Sequence, residues 1–122
     1  MRTHVVIDSQ DPERIAQFWG ELLDLEVTST RDDGRYVVLR STSDEFLLVL
    51  QRVPEPKAGK NRVHLDVRVD DLDTSTAQVE SLGGRWIEPG ATPELDGFPW
   101  RCMADPEGNE FCIFELPPTA SA

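Results

Sequence analysis

Only two histidines occur in the 122-residue chain, His4 and His64, and they stand 60 positions apart. Imidazole titrates near neutral pH and is a common ligand of metal ions, so a matched pair is the first place to look for chemistry. A histidine in a strand is also commonly just a hydrogen-bonded structural residue, and both readings stand at this point. The two cysteines, Cys102 and Cys112, bracket a tight turn around Asp105-Pro106-Glu107-Gly108-Asn109. A two- or four-residue hairpin loop there would put the thiols on opposite faces of the ribbon, which argues against a disulfide. Free thiols fit a reducing compartment. Trp86, Phe98 and Trp100 flank or lie within a proline-rich stretch; they either pack a core or a dimer contact, or wall a small ligand. Arg62, Arg68 and Arg101 are either surface charge or the means of meeting an anion. No Ser-His-Asp or Cys-His order stands out, and no glycine-rich phosphate loop is present.

The elements that must position these residues repeat once. Placed at the 60-residue offset, His4-Val-Val-Ile-Asp-Ser-Gln-Asp11-Pro12 overlays His64-Leu-Asp-Val-Arg-Val-Asp-Asp71-Leu72. Each segment is a β-rich run ending in an aspartate that precedes a helical pattern. Ile15, Phe18, Trp19, Leu22 and Leu23 form one apolar stripe, predicting a helix over Pro12–Leu23 with Asp11 as its cap. Leu72, Val79 and Leu82 form the second, predicting a helix over Leu72–Leu82, capped by Asp71 and ended by Gly83-Gly84. Strands are expected at about Leu25–Thr30, Arg35–Ser41 and Glu45–Val53, with turns at Asp32-Asp33-Gly34 and Thr42-Ser43-Asp44. Further strands are expected at about Arg85–Glu88, Trp100–Ala104 and Asn109–Leu116, with Pro89–Pro99 as a loop. The organisation is one domain: module one at about 1–53, a connector at about 54–61, module two at about 62–116 and a frayed tail at 117–122.

Strand alternation places the histidines. Val63, Leu65, Val67 and Val69 share one face, which the following helix must cover. His64, Asp66 and Arg68 share the other. In the first strand Val5 and Ile7 oppose His4, Val6 and Asp8. Both imidazoles therefore point away from the helices, and modules paired about a pseudo-twofold axis would bring them into a shared cleft.

Lys plus Arg is 12 against 23 for Asp plus Glu, a net charge of −11. Such a chain repels nucleic-acid phosphates and anionic lipid, so neither nucleic acid nor membrane is an expected partner. No apolar run approaches a bilayer span and no secretory leader is evident, so a cytoplasmic location is expected.

The double pattern resembles the vicinal oxygen chelate superfamily, the group of glyoxalase I, extradiol dioxygenases, fosfomycin-resistance enzymes and bleomycin-resistance proteins. The resemblance rests on His4…Asp11-Pro12, Phe18-Trp19…Leu22-Leu23, His64…Val69-Asp70-Asp71-Leu72, Leu82-Gly83-Gly84 and Asp105-Pro106-Glu107-Gly108-Asn109. It implies an α+β fold of two βαβββ modules forming a curved mixed sheet around a central cleft. It also implies a divalent metal held from the first, fifth and eighth strands, where His4 and His64 match the first two positions. The eighth-strand ligand is a glutamate four residues after the turn glycine; that position here is Cys112. Glu110 lies two residues earlier on the same face, and Glu115 on the opposite face. On the fourth strand Gln51 is the nearest polar residue. A thiol in place of the carboxylate would shift the set from iron(II) or manganese toward zinc or copper, and would have to be ionised. Otherwise Cys112 is packing.

The expected function is that of a glyoxalase-like protein binding or transforming a small organic molecule in the cleft between the modules. A metal-dependent lyase, isomerase or dioxygenase would use His4 and His64 with Cys112 or Glu110. A metal-free, bleomycin-resistance-type binder would use Gln51, Trp86, Phe98 and Trp100. A third reading is a regulatory dimer module without a ligand. Two imidazoles fall short of the three or four protein ligands usual in a metal site, so a weak site is expected. A homodimer is expected because open sheet edges need covering.

Overall fold

The computed structural model of the chain describes residues 3–42, 46–95 and 97–116. The expected turn at Thr42-Ser43-Asp44 lies partly outside these residues, and the tail at 117–122 wholly so. The chain divides into two compact units, Met1–Lys57 and Ala58–Ala122. Each is a mixed sheet with one helix, and together they are the two βαβββ-like modules of an α+β fold.

Module one contains β1 (His4–Ser9), α1 (Pro12–Leu23), β2 (Glu26–Arg31), β3 (Tyr36–Arg40) and β4 (Leu47–Arg52). Its strand order is β1-β4-β3-β2, with β1 parallel to β4. The parallel pairing needs a crossover, and α1 supplies the first part of it. Asp11 caps α1 by accepting from Arg14 N, Pro12 sits in the first turn, and Ser9 Oγ accepts from Asp11 N at 2.9 Å. The stripe Ile15, Phe18 and Trp19 is buried with Val37, Leu39, Leu48 and Leu50. Phe18 and Trp19 meet edge to face at 5.2 Å between centroids. Gly20 permits the close fit: a Cβ there would lie 3.3 Å from Leu39 Cδ2 and 3.2 Å from Leu25 O.

Module two contains β5 (Leu65–Arg68), α2 (Leu72–Ser81), β6 (Arg85–Trp86), β7 (Glu94–Leu95), β8 (Phe98–Ala104) and β9 (Glu110–Phe114). The main order is β5-β9-β8-β6, with β5 parallel to β9; β7 pairs only with β8. Two carboxylates fix the start of α2. Asp71 accepts from Thr74 N at 2.9 Å, and Glu115, just past β9, accepts from Leu72 N at 2.6 Å. Leu72 and Val79 then bury against Met103, Phe111 and Ile113.

Three expectations need correction. Val63 does not join the half-buried face of Leu65 and Val67: it is 82% exposed, because pairing with β9 begins only at Leu65. The stretch 89–99 is not all loop, since β7 pairs with the start of β8 through Glu94–Pro99 and Leu95–Phe98. The third is the placing of Cys102 and Cys112 on opposite faces: they are directly paired across β8 and β9. Among the described residues no helix is long and apolar enough to cross a membrane.

Candidate functional site

The site is built on the face of the module-two sheet that α2 does not cover. Along β8 and β9, Arg101, Met103, Phe111 and Ile113 are buried on the helix side. Alternation then turns Trp100, Cys102, Cys112 and Phe114 the other way. Register lines these up in rows across the strands: Asp66 on β5 pairs with Cys112 on β9, which pairs with Cys102 on β8. The next row holds Arg68, Phe114 and Trp100. A cavity of about 540 Å³ opens over these rows, lined by His64, Asp66, Phe98, Trp100, Cys102, Cys112 and Phe114.

The turn between β8 and β9 sets this register. Gly108 N donates to Asp105 O at 2.9 Å, and Asp105 N donates to Asn109 O at 2.9 Å. Gly108 takes φ 89°, the left-handed region that glycine enters without strain. Asp105 is buried, and its carboxylate accepts from Glu107 N, Asn109 N and Asn109 Nδ2 at 2.9, 2.9 and 3.0 Å. Asp105 and Asn109 therefore close a three-residue loop. An odd loop pairs residues of equal parity, so Cys102 and Cys112 share a face. This overturns the expectation of opposite faces, which rested on an even loop. Their sulfurs lie 3.6 Å apart as free thiols.

Burial pushes the Cys112 thiol up to about 12; the contact with Cys102 and the charge of Asp66 add to the rise, and Lys60 opposes it. The thiol is thus uncharged at neutral pH. His64 Nε2 stands 3.1 Å from Asp66 Oδ1 at a half-exposed edge of the cavity. Ligand atoms of His64, Asp66 and Cys112 all fall within 4.8 Å of one another. The cavity therefore has an apolar aromatic wall and one polar end.

The other singled-out residues of module two face different surroundings. Glu110 turns to the connector, accepting from Lys60 Nζ at 3.1 Å and Asn61 N at 3.2 Å. Trp86 does not line the cavity; its ring lies under Arg101, whose guanidinium carbon is 4.2 Å from the indole centroid. Arg101 itself is buried and committed to Thr76 Oγ1, Thr92 Oγ1, Leu72 O and Asp73. His4 and Gln51 belong to module one, on the sheet face opposite α1; His4 is exposed beside Leu47, and Gln51 lies between Asp8 and Tyr36. Asp66, Cys102 and Phe114 are the lining residues that sequence reasoning did not propose. Asp66 was signalled by its i+2 spacing from His64.

Comparison with known proteins agrees with this architecture. The family model described as a glyoxalase-like domain matches residues 4–114. A glyoxalase/bleomycin resistance protein/dioxygenase family enzyme from Burkholderia phytofirmans PsJN superposes with a TM-score of 0.75 at 16% identity, over 93% of this chain and 96% of that one. Fosfomycin resistance protein FosX from Mesorhizobium loti gives 0.72 at 16% identity, over 98% of this chain and 94% of that one. TnmS3, an antibiotic binding protein from Streptomyces sp. CB03234, gives 0.64 at 19% identity, over 94% of this chain and 96% of that one. At these identities the likeness is one of fold. No curated protein shows significant similarity to the sequence.

Proposed function

Because the chain belongs to the glyoxalase-like domain family, within the vicinal oxygen chelate superfamily, we propose that it binds a small organic molecule with a flat apolar body in the module-two cavity. The observation that carries this reading is the cavity itself: about 540 Å³, with Phe98, Trp100 and Phe114 on its wall and His64 and Asp66 at one end. That volume lies within the range of small-molecule sites, and aromatic walls favour stacked rings. The net charge of −11 favours a neutral or cationic ligand over an anion. His64 and Asp66 offer it a hydrogen-bonding end.

Metal chelation of vicinal oxygens forms no part of this reading. The resemblance implies a hard carboxylate beside the imidazoles, but Cys112 stands at that position and Glu110 is engaged by Lys60 and Asn61. The donor set does not fit iron(II) or manganese.

The test is a thermal-shift and tryptophan-fluorescence screen of neutral and cationic fused-ring aromatics, run with a metal chelator present. A binder is expected to raise the melting temperature of the parent and of Trp86→Phe, and to lose at least about tenfold in affinity with Trp100→Ala. A screen without binders, or a Trp100→Ala protein that binds as tightly as the parent, rejects the reading. The protein is also proposed to self-associate. Edge strands β1 and β2 in one sheet, and β5 and β6 in the other, offer ladder groups for covering. Sedimentation showing only monomer at micromolar concentration rejects that.

A further inference from the structure

The polar end of the cavity holds more donor chemistry than a hydrogen-bonding site requires. His64, just before β5, brings its imidazole within 4.8 Å of the Asp66 carboxylate and the Cys112 thiol on one sheet face, and Cys102 stands beside Cys112 on the neighbouring strand. Cys102 and Cys112 are a directly opposed pair. Hydrogen-bonded and open pairs alternate along an antiparallel ladder. Asp105 N donates to Asn109 O, and Glu115 N donates to Pro99 O. The alternation makes Cys102–Cys112 an open pair, and Cys102 O instead accepts from Ile87 N at 3.0 Å on the far side. In an open pair the side chains approach most closely.

The resulting sulfur separation is 3.6 Å. Two thiolates on one tetrahedral zinc, each at about 2.3 Å, stand about 3.8 Å apart. The pair already has the edge length of such a tetrahedron. His64 and Asp66 supply two further donors, with ligand atoms within 4.8 Å of each other and of Cys112 Sγ. The strongly acidic chain favours a cation there.

We propose that Cys102, Cys112, His64 and Asp66 form a Cys₂-His-Asp site for a borderline-soft divalent cation, zinc foremost, carried wholly by module two. Two sulfur–metal bonds form, two S–H bonds break, and the two protons pass to solvent. The set differs from the one implied by the resemblance: it recruits Cys102 and Asp66, and it leaves out His4. The proposal draws on His64 and Asp66, which the ligand reading also uses, but it does not rest on that reading, and its test takes the metal alone as the probe.

The test is titration of the fully reduced protein with Co²⁺, followed by displacement with Zn²⁺. Cobalt bound to thiolate gives an intense sulfur-to-metal charge-transfer absorption that scales with the number of sulfurs. One equivalent of Co²⁺ is expected to saturate the band, and Zn²⁺ to abolish it. Cys102→Ser and Cys112→Ser should each remove about half of its intensity and weaken zinc by at least about tenfold, since even outer-shell partners of a metal are worth that much. His64→Ala should weaken zinc similarly, while His4→Ala should leave both readouts unchanged. Near-ultraviolet circular dichroism of the tryptophans establishes that each variant is folded. Absence of the band in the folded parent overturns the proposal. So does an unchanged spectrum in folded Cys102→Ser, or loss of binding in His4→Ala.

Discussion

Arg101 stacks on Trp86, guanidinium carbon to indole centroid 4.2 Å, while its Nη1 donates to Thr76 Oγ1 at 2.7 Å. One side chain thus joins β8, β6 and the first turn of α2, on the side of the sheet opposite the cavity. Its partners use the planar fork of the guanidinium, which a lysine cannot reproduce. The ion pair to Asp73 adds little, because that carboxylate is 86% exposed.

Arg101→Ala is therefore expected to lower stability by about 2–4 kcal/mol, from lost stacking and from buried groups left unpaired. Arg101→Lys should fall between the two. Urea denaturation measures both, and a shift under about 0.5 kcal/mol, the size usual for surface substitutions, refutes the role assigned to Arg101.

Acid should selectively remove the cap on α2. Hydrogen bonds from Thr74 hold the Asp71 carboxyl below its ordinary value of 3.8. A group depressed in the folded state stabilises above its unfolded pKa, and that contribution disappears as pH falls through the folded value. The gap in stability between the parent and Asp71→Ala should be constant from pH 5 to 7 and narrow below 3.8. A gap that widens on acidification contradicts this.

The Cys112 thiol, held at about 12 by burial and by Cys102, should alkylate slowly in the folded, metal-stripped protein. Against an ordinary thiol at 9.0, its thiolate fraction at pH 8 is lower by about a thousandfold. Iodoacetamide labelling of Cys112, followed by peptide mass spectrometry, should still accelerate about tenfold per pH unit between pH 8 and 10. A plateau near pH 9 contradicts it.

Gly108→Ala should cost about 1–2 kcal/mol, because φ 89° places a Cβ in the left-handed region. The fold should survive, since Asp105 still binds Glu107 N and Asn109 N. Equilibrium denaturation gives the number; a neutral substitution would mean the turn relaxes freely.

Much of the framework was legible in the residues. The stripe Ile15–Phe18–Trp19 and the cap Asp11-Pro12 specify α1, and Asp71 with Leu72 and Val79 specifies α2, because periodicity and capping are local signals. The direction of His64 was legible too, since Leu65 and Val67 had to face the helix. The cysteine pair was not. Its outcome depends on whether the turn at Asp105–Asn109 holds an even or an odd number of residues, and composition alone does not fix that. The partner of Glu110 was not legible either: alternation gives a face, but not the lysine across from it on the connector. Arg101 looked like one scattered charge because its partners lie 9 to 29 positions away.

The three-residue turn also constrains how this protein can change. A one-residue slip of the β8–β9 register about this turn would flip every side chain of β9 through the sheet, sending Cys112 and Phe114 into the core and Phe111 and Ile113 into the cavity. Only slips in steps of two keep the lining intact, so the contacts of Asp105 with Glu107 and Asn109 guard the site itself: a one-residue slip of the hairpin would erase it while leaving every residue of β9 in the sequence.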